Sequence, residues 1–155
     1  MKTAQDMLNE KEGGEALISV AADTTIHDAL KVMLELRIGA ILVEENGKQI
    51  GIWTERDLME NAITPGFDPK TAKIGDLMVT GLQSASYAET AYNLLDKFLG
   101  IRLRHLLIEK DGEYIGLLST GDVIKTCLME KTAELENLNS IVSWDYYEDW
   151  RWKKK

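Results

Sequence analysis

A seven-residue stretch occurs twice in this chain, and the repetition restricts what the chain can fold into. Gly51-Ile52-Trp53-Thr54-Glu55-Arg56-Asp57 returns 65 positions later as Gly116-Leu117-Leu118-Ser119-Thr120-Gly121-Asp122. Each copy reads glycine, two apolar residues, a hydroxyl residue, two variable residues and an aspartate. Each follows an apolar run and a turn: Ala40-Ile41-Leu42-Val43 before Asn46-Gly47, and Leu106-Leu107-Ile108 before Asp111-Gly112. Self-similarity at one spacing exposes the unit from which a fold is built. Two copies make a pseudo-twofold pair, not a solenoid.

The flanking pattern fills in the unit. Leu17-Ile18-Ser19-Val20 reads as a short strand. Thr25 then caps a helix, with Asp28 three residues on and Ile26, Ala29, Leu30, Met33 and Leu36 at inward helical spacing. Ala40 to Val43 and Gln49 to Trp53 form a hairpin, and Thr54 starts a helix carrying Leu58 and Met59. In the second unit a strand falls over Leu82 to Ala85, and Ser86-Tyr87-Ala88-Glu89 has the form of a capping box. Ala88, Ala91, Leu94, Leu95 and Phe98 follow as the helical stripe. His105 to Ile108 pairs with Tyr114 to Leu118, and Ser119 opens a last helix through Val123, Ile124 and Leu128. Matching the Ala29 helix to the Ala91 helix makes the second unit three residues longer, around Leu99 to Leu103.

The expected fold is therefore α+β: two units of β-α-β-β-α, each a small three-stranded mixed sheet with helices on one face. A unit of about 55 residues is marginal alone, so the two sheets are expected to pack against each other. Residues 1–63 hold a lead-in and the first repeat. Residues 64–72, with both prolines, form the linker. Residues 73–129 form the second repeat, and 130–155 a C-terminal helix and aromatic tail. Thr3 to Leu8 resembles Lys73 to Met78, and each reads as about one helical turn. Glu12-Gly13-Gly14-Glu15 reads as a surface turn. Residues 143–155 hold three of the four tryptophans, and such aromatic density suits a packing segment between subunits.

Composition removes several function classes. A net charge of −8 disfavours general nucleic-acid binding, which rests on neutralising phosphates. No apolar run approaches the ~20 residues that span a bilayer, and the start has no signal-peptide pattern. The single Cys127 precludes a disulfide framework, so a reducing, cytoplasmic setting is expected. His27 and His105 stand in no catalytic spacing. No metal-ligand cluster or glycine-rich phosphate loop occurs. The expectation is no catalytic residue, no metal and no required cofactor.

The ordered features resemble a tandem pair of cystathionine β-synthase (CBS) domains, a Bateman module, up to about residue 142. They are Gly51…Thr54…Asp57, Gly116…Ser119…Asp122, the two alanine-bearing helices and the Asp76-Leu77-Met78 lead-in. Gly39 to Val43, Thr54 to Asp57, Arg104-His105 and Ser119 to Val123 resemble small stand-alone CBS-pair proteins. Leu135-Glu136-Asn137-Leu138-Asn139-Ser140-Ile141 resembles the segment that ends them.

Thr54-x-x-Asp57 and Ser119-x-x-Asp122 are, at the least, helix caps with an acid in the first turn. A helix N-terminus also attracts phosphate, and a carboxylate there can accept hydrogen bonds from ribose hydroxyls. The resemblance implies that use: ribose at Asp57 and Asp122, phosphate or hydroxyl contacts at Thr54 and Ser119. Arg102, Arg104 and His105 are expected to serve phosphate at the second unit's cleft, where the first unit offers Ile38-Gly39-Ala40. Arginine grips phosphate bidentately. Arg56 either reaches a phosphate across the pseudo-twofold or pairs with Glu55 or Glu60. The backbone at Gly39, Ala40 and Leu82 is expected to read a base. The implied ligand is an adenine nucleotide, AMP, ADP, ATP or an NAD-like molecule, bound by a non-catalytic sensor. The sensor would act as a homodimer on a separate effector protein. The alternative is a ligand-free scaffold for protein assembly.

Overall fold

The computed structural model describes residues 1–11 and 17–135. Two three-stranded sheets carry the chain. The first orders β1 (Ser19–Ala21), β2 (Ala40–Glu45) and β3 (Lys48–Thr54), with β1 parallel and β3 antiparallel to β2. The second repeats this with β4 (Ser84–Ser86), β5 (His105–Lys110) and β6 (Glu113–Ser119). Helices α2 (Ile26–Leu36) and α5 (Ala91–Ile101) make the crossovers that parallel pairing requires. Helices α3 (Glu55–Ala62) and α6 (Thr120–Glu134) follow the hairpins. The expected α+β class and unit order hold.

Both hairpins turn on two residues with positive φ, Asn46-Gly47 (51° and 76°) and Asp111-Gly112 (52° and 82°). Such turns match the twist of the strands they join. Both also shift register at one place, Val43/Glu44 and Ile108/Glu109.

From the first strand of each unit onward the equivalence holds at 65 positions, with no added residues. Thr25 and Thr90 cap α2 and α5, and Arg37 and Arg102 end them in the left-handed region. Ala91 is thus the partner of Ile26, and Leu94 that of Ala29. Ser86 is not the cap. It ends β4, where Tyr87 donates to the Glu109 carbonyl, and its hydroxyl accepts from Ala88 in a turn. Ala88 is accordingly exposed. Leu82 lies outside β4, which begins at Ser84. On α2 the stripe is Ile26, Ala29 and Met33, all buried, while Leu36 is exposed; on α3, Met59 points outward.

The lead-ins are exchanged between the units. Helix α1 (Ala4–Glu10), two turns capped by a Thr3–Asp6 box, joins the second core through Ala4, Met7 and Leu8. Helix α4 (Ile74–Leu77) joins the first core through Ile74. Thr3 bridges to Thr90, and Lys73 to Thr25, so each lead-in docks beside the other unit's first cap. Gly51 and Gly116 make room: a Cβ on Gly51 would run into Met78, and one on Gly116 into Leu8.

Each core is closed by its unit's strands and helices together with the exchanged lead-in. Trp53 is fully buried in the first, its indole N–H donating to Asn61 Oδ1 at 2.9 Å, which satisfies the ring's polar atom. Leu42 and Leu107 belong to neither core yet are buried, on the sheet faces turned from the helices. Ile52 of the first sheet shares a small cavity with His105, Leu107 and Leu117 of the second. The sheets therefore meet across these faces. The turn expected at Glu12-Gly13-Gly14-Glu15 and the aromatic tail expected at 143–155 fall within residues 12–16 and 136–155, outside the described residues.

Candidate functional site

Between the units a cleft of about 370 Å³ is lined by residues of both, within the size range of small-molecule sites. Its first wall is the end of β3 and the start of α3. Thr54 Oγ1 accepts from the Asp57 backbone N–H, and Asp57 Oδ2 accepts the Thr54 backbone N–H at 2.8 Å and the Thr54 hydroxyl at 3.2 Å. This capping box holds one face of the carboxylate. Asp57 Oδ1 accepts no hydrogen bond among the described residues.

The apolar wall is Ile52, Val79 and Leu103. Val79 is fixed there by two backbone bonds with Ile52, at 2.8 and 3.0 Å. The basic wall is Arg102, Arg104 and His105, which run from the C-cap of α5 into β5. Arg56 reaches the same cleft from α3, as does Glu55, whose backbone N–H donates to the Gly39 carbonyl at 3.0 Å. Among the described residues Arg56, Arg102 and Arg104 form no ion pair. Burial keeps the His105 pKa below the ordinary imidazole value, with Lys11 and Arg104 adding to that; Asp122 and Glu55 oppose it. His105 is thus neutral near pH 7, and the positive charge of the cleft rests on the arginines.

Sequence order does not predict this grouping. Arg102, Arg104 and His105, expected at the second unit's cleft, stand opposite Thr54 and Asp57 of the first. The pseudo-twofold sets one unit's strand entrance against the other's helix entrance. Gly39 lines the cleft, and Leu82 lines the smaller adjoining cavity, which shares Ile52, Val79, Leu103 and His105 with it. Ala40 is buried, paired with Thr54 across β2 and β3. Ile52, Glu55, Val79 and Leu103 were not expected at a site. The period-two alternation of β3 carries a signal for Ile52, because burying Trp53 in the core turns Ile52 to the opposite face.

Ser119 and Asp122 repeat the box at α6: Ser119 N–H donates to Asp122 Oδ2 at 2.8 Å, and Asp122 N–H to Ser119 Oγ at 3.2 Å. They do not line the Asp57 cleft. Asp122 Oδ2 instead meets Lys11 Nζ at 3.1 Å.

A paired-repeat module with a composite cleft at its pseudo-twofold is the class these features define. The CBS domain model matches residues 15–63 and 74–128, and the chain belongs to that family. A curated relative, the CBS domain-containing protein CBSX3, mitochondrial, of Arabidopsis thaliana, is 33% identical over 129 residues. The match covers 80% of this chain and 63% of that protein, so the chain spans under two thirds of this relative's length. Among solved structures, a CBS-domain containing protein of Agrobacterium tumefaciens superposes with a TM-score of 0.74 at 28% identity, covering 81% of this chain and 99% of that one. CBSX2 in complex with AMP superposes with a TM-score of 0.67 at 22% identity, covering 84% and 98%. At that identity the likeness is one of fold.

Proposed function

We propose that the chain is a non-catalytic regulatory sensor that binds an adenine nucleotide in the Asp57 cleft. The observation that carries the reading is the convergence on one cavity of a capping-box carboxylate, three arginines and an apolar wall, with Asp57 Oδ1 and the arginines unpaired among the described residues. Asp57 Oδ1 accepts from the ribose hydroxyls. The N-terminus of α3, with Arg56, Arg102 and Arg104, receives phosphate. The base lies against Ile52, Val79 and Leu103. The AMP complex of the CBSX2 neighbour supports the ligand class. Three guanidinium groups favour ADP, ATP or an NAD-like dinucleotide over an uncharged nucleoside.

Occupancy is transmitted to a separate protein through a homodimer whose shape the ligand biases, which requires different affinity for two states. One relative has a mitochondrial name, and the sensor reading is independent of compartment. Thermal unfolding with AMP, ADP, ATP, NAD and adenosine tests it. Ligand at 100 times its dissociation constant adds about 2.7 kcal/mol, so a clear rise in melting temperature is expected with ADP, a smaller one in Asp57→Ala and none in Asp57→Ala combined with Asp122→Ala. Absence of any shift in the unmodified chain with all four nucleotides overturns the reading.

A further inference from the structure

The motif aspartates Asp57 and Asp122 differ in what they face, and the difference comes from one position. Lys11 caps the C-terminal end of α1 and sends its ammonium to two acceptors of the second unit: Asp122 Oδ2 at 3.1 Å and the Leu117 carbonyl at 3.0 Å. The lysine starts from a seated element. Helix α1 is packed through Leu8 on Gly116 and tied by the Thr3 bridge to Thr90.

The pseudo-twofold partner of Leu8 is Met78, which packs on Gly51 in the same manner. Three residues beyond Leu8 stands Lys11, whereas three beyond Met78 stands Gly81, at φ 72° and with no side chain. The carbonyl equivalent to that of Leu117 is Ile52's, and it is taken by the Val79 backbone N–H at 2.8 Å. Asp57 therefore faces an open cleft, and among the described residues no cation is paired to its carboxylate. Asp122 has a tethered ammonium on its capping oxygen Oδ2, beside the Oδ1 to which a sugar hydroxyl would donate.

We propose that Lys11 is an internal plug that closes the Asp122 position, so that the chain takes nucleotide at Asp57 first and at Asp122 only once Lys11 is displaced. The inference rests on the nucleotide reading of the clefts and adds their inequality to it. The ammonium offsets the charge of the Asp122 carboxylate from its Oδ2 side and so weakens it as an acceptor for ribose hydroxyls. It also fills the acceptor on β6 beside it. The side chains of Lys11 and Asp122 are each about one third exposed, at 36% and 31%. An ion pair so close to solvent is weak and opens reversibly. Together with the bond to the carbonyl it lowers affinity at Asp122 by about tenfold. Occupancy of the second position then depends on nucleotide concentration over a range above that of the first.

Lys11→Met tests this, since it keeps the aliphatic stem and removes the ammonium. ADP is titrated calorimetrically into the full chain, Lys11→Met, and Lys11→Met combined with Asp122→Ala. The expected result is one strong site per chain in the unmodified protein and two in Lys11→Met, with the second about tenfold tighter than before. Adding Asp122→Ala should abolish that second site. A stoichiometry unchanged by Lys11→Met, two equal sites in the unmodified chain, or weaker binding in the variant would each overturn the plug. If the unmodified chain binds no ADP, the sensor reading fails. The plug is still decided, because a site gained in Lys11→Met and lost with Asp122→Ala supports it, and no gain refutes it.

Discussion

His105 shows how one side chain ties the two clefts to pH. It stands at the start of β5, opposite Ser119 in register, and lines the Asp57 cleft. Its pKa is lowered from 6.5, first by burial and then by Lys11 and Arg104, against the pull of Asp122 and Glu55. The unfolded chain therefore binds a proton that the folded chain refuses. Stability contributed by neutral His105 is present above pH 6.5 and is lost as pH falls below it. Urea unfolding at pH 7.5 and 5.5 should show a loss of stability at the lower value, and His105→Gln should shrink that loss. An unchanged difference in the variant would place the titration elsewhere. The lowered carboxylates Asp6, Asp28 and Glu89 act below their own ordinary values of 3.8 to 4.5, outside this window. The motif residues Thr54, Asp57, Ser119 and Asp122 are legible from sequence because capping is a local act. That Arg104 and His105 attend Asp57 is not, because only the pseudo-twofold brings them together.

At the scale of elements, the same contrast separates caps that were readable from one that was not. Ser86 and Thr90 both have the residue type for a cap, and Ser86 has the better acid three positions later. Ser86 is nevertheless held in β4, whose parallel pairing with β5 is a contact across more than twenty residues that no local rule registers. The seating of α4 is equally non-local. Gly75 donates its N–H to the Ala22 carbonyl at 2.9 Å, and a Cβ there would lie 2.7 Å from that oxygen and 2.9 Å from the Ala22 methyl. Backbone cannot move aside as a side chain does. Gly75→Ala should therefore cost about 1–3 kcal/mol, as overpacking does. Gly100 offers the opposite case, in the last turn of α5 with nothing within 4 Å of its Cβ position. Gly100→Ala should leave stability unchanged or raise it by up to about 1 kcal/mol. Denaturant midpoints measure both, and a neutral Gly75→Ala would show that α4 is not clamped on the first unit.

For the whole molecule, the exchanged lead-ins decide whether the repeats are two folding units or one. The repeat pattern and its linker suggest two halves that part at residues 64–72. The cores do not follow that division. Leu8 is buried with Phe98, Leu106 and Leu118 of the second unit, and Ile74 with Met33, Ile41 and Trp53 of the first. Each half thus completes its core with a helix contributed by the other half, and neither can lose its partner without opening its own interior. Leu42 and Leu107 add burial that exists only while the sheets touch. A single cooperative transition is expected. Leu8→Ala and Ile74→Ala should each lower it by about 2–5 kcal/mol, the usual cost of truncating a buried aliphatic side chain. Because the substitutions lie in different cores, independent halves would respond separately: calorimetry would resolve two transitions, with Leu8→Ala moving one and Ile74→Ala the other. Coupled halves give one peak that both substitutions displace. Under the proposed function a nucleotide in the composite cleft would touch both halves, so under coupling it should raise that one peak without splitting it, and a ligand-induced shift confined to part of the unfolding enthalpy would refute the shared core.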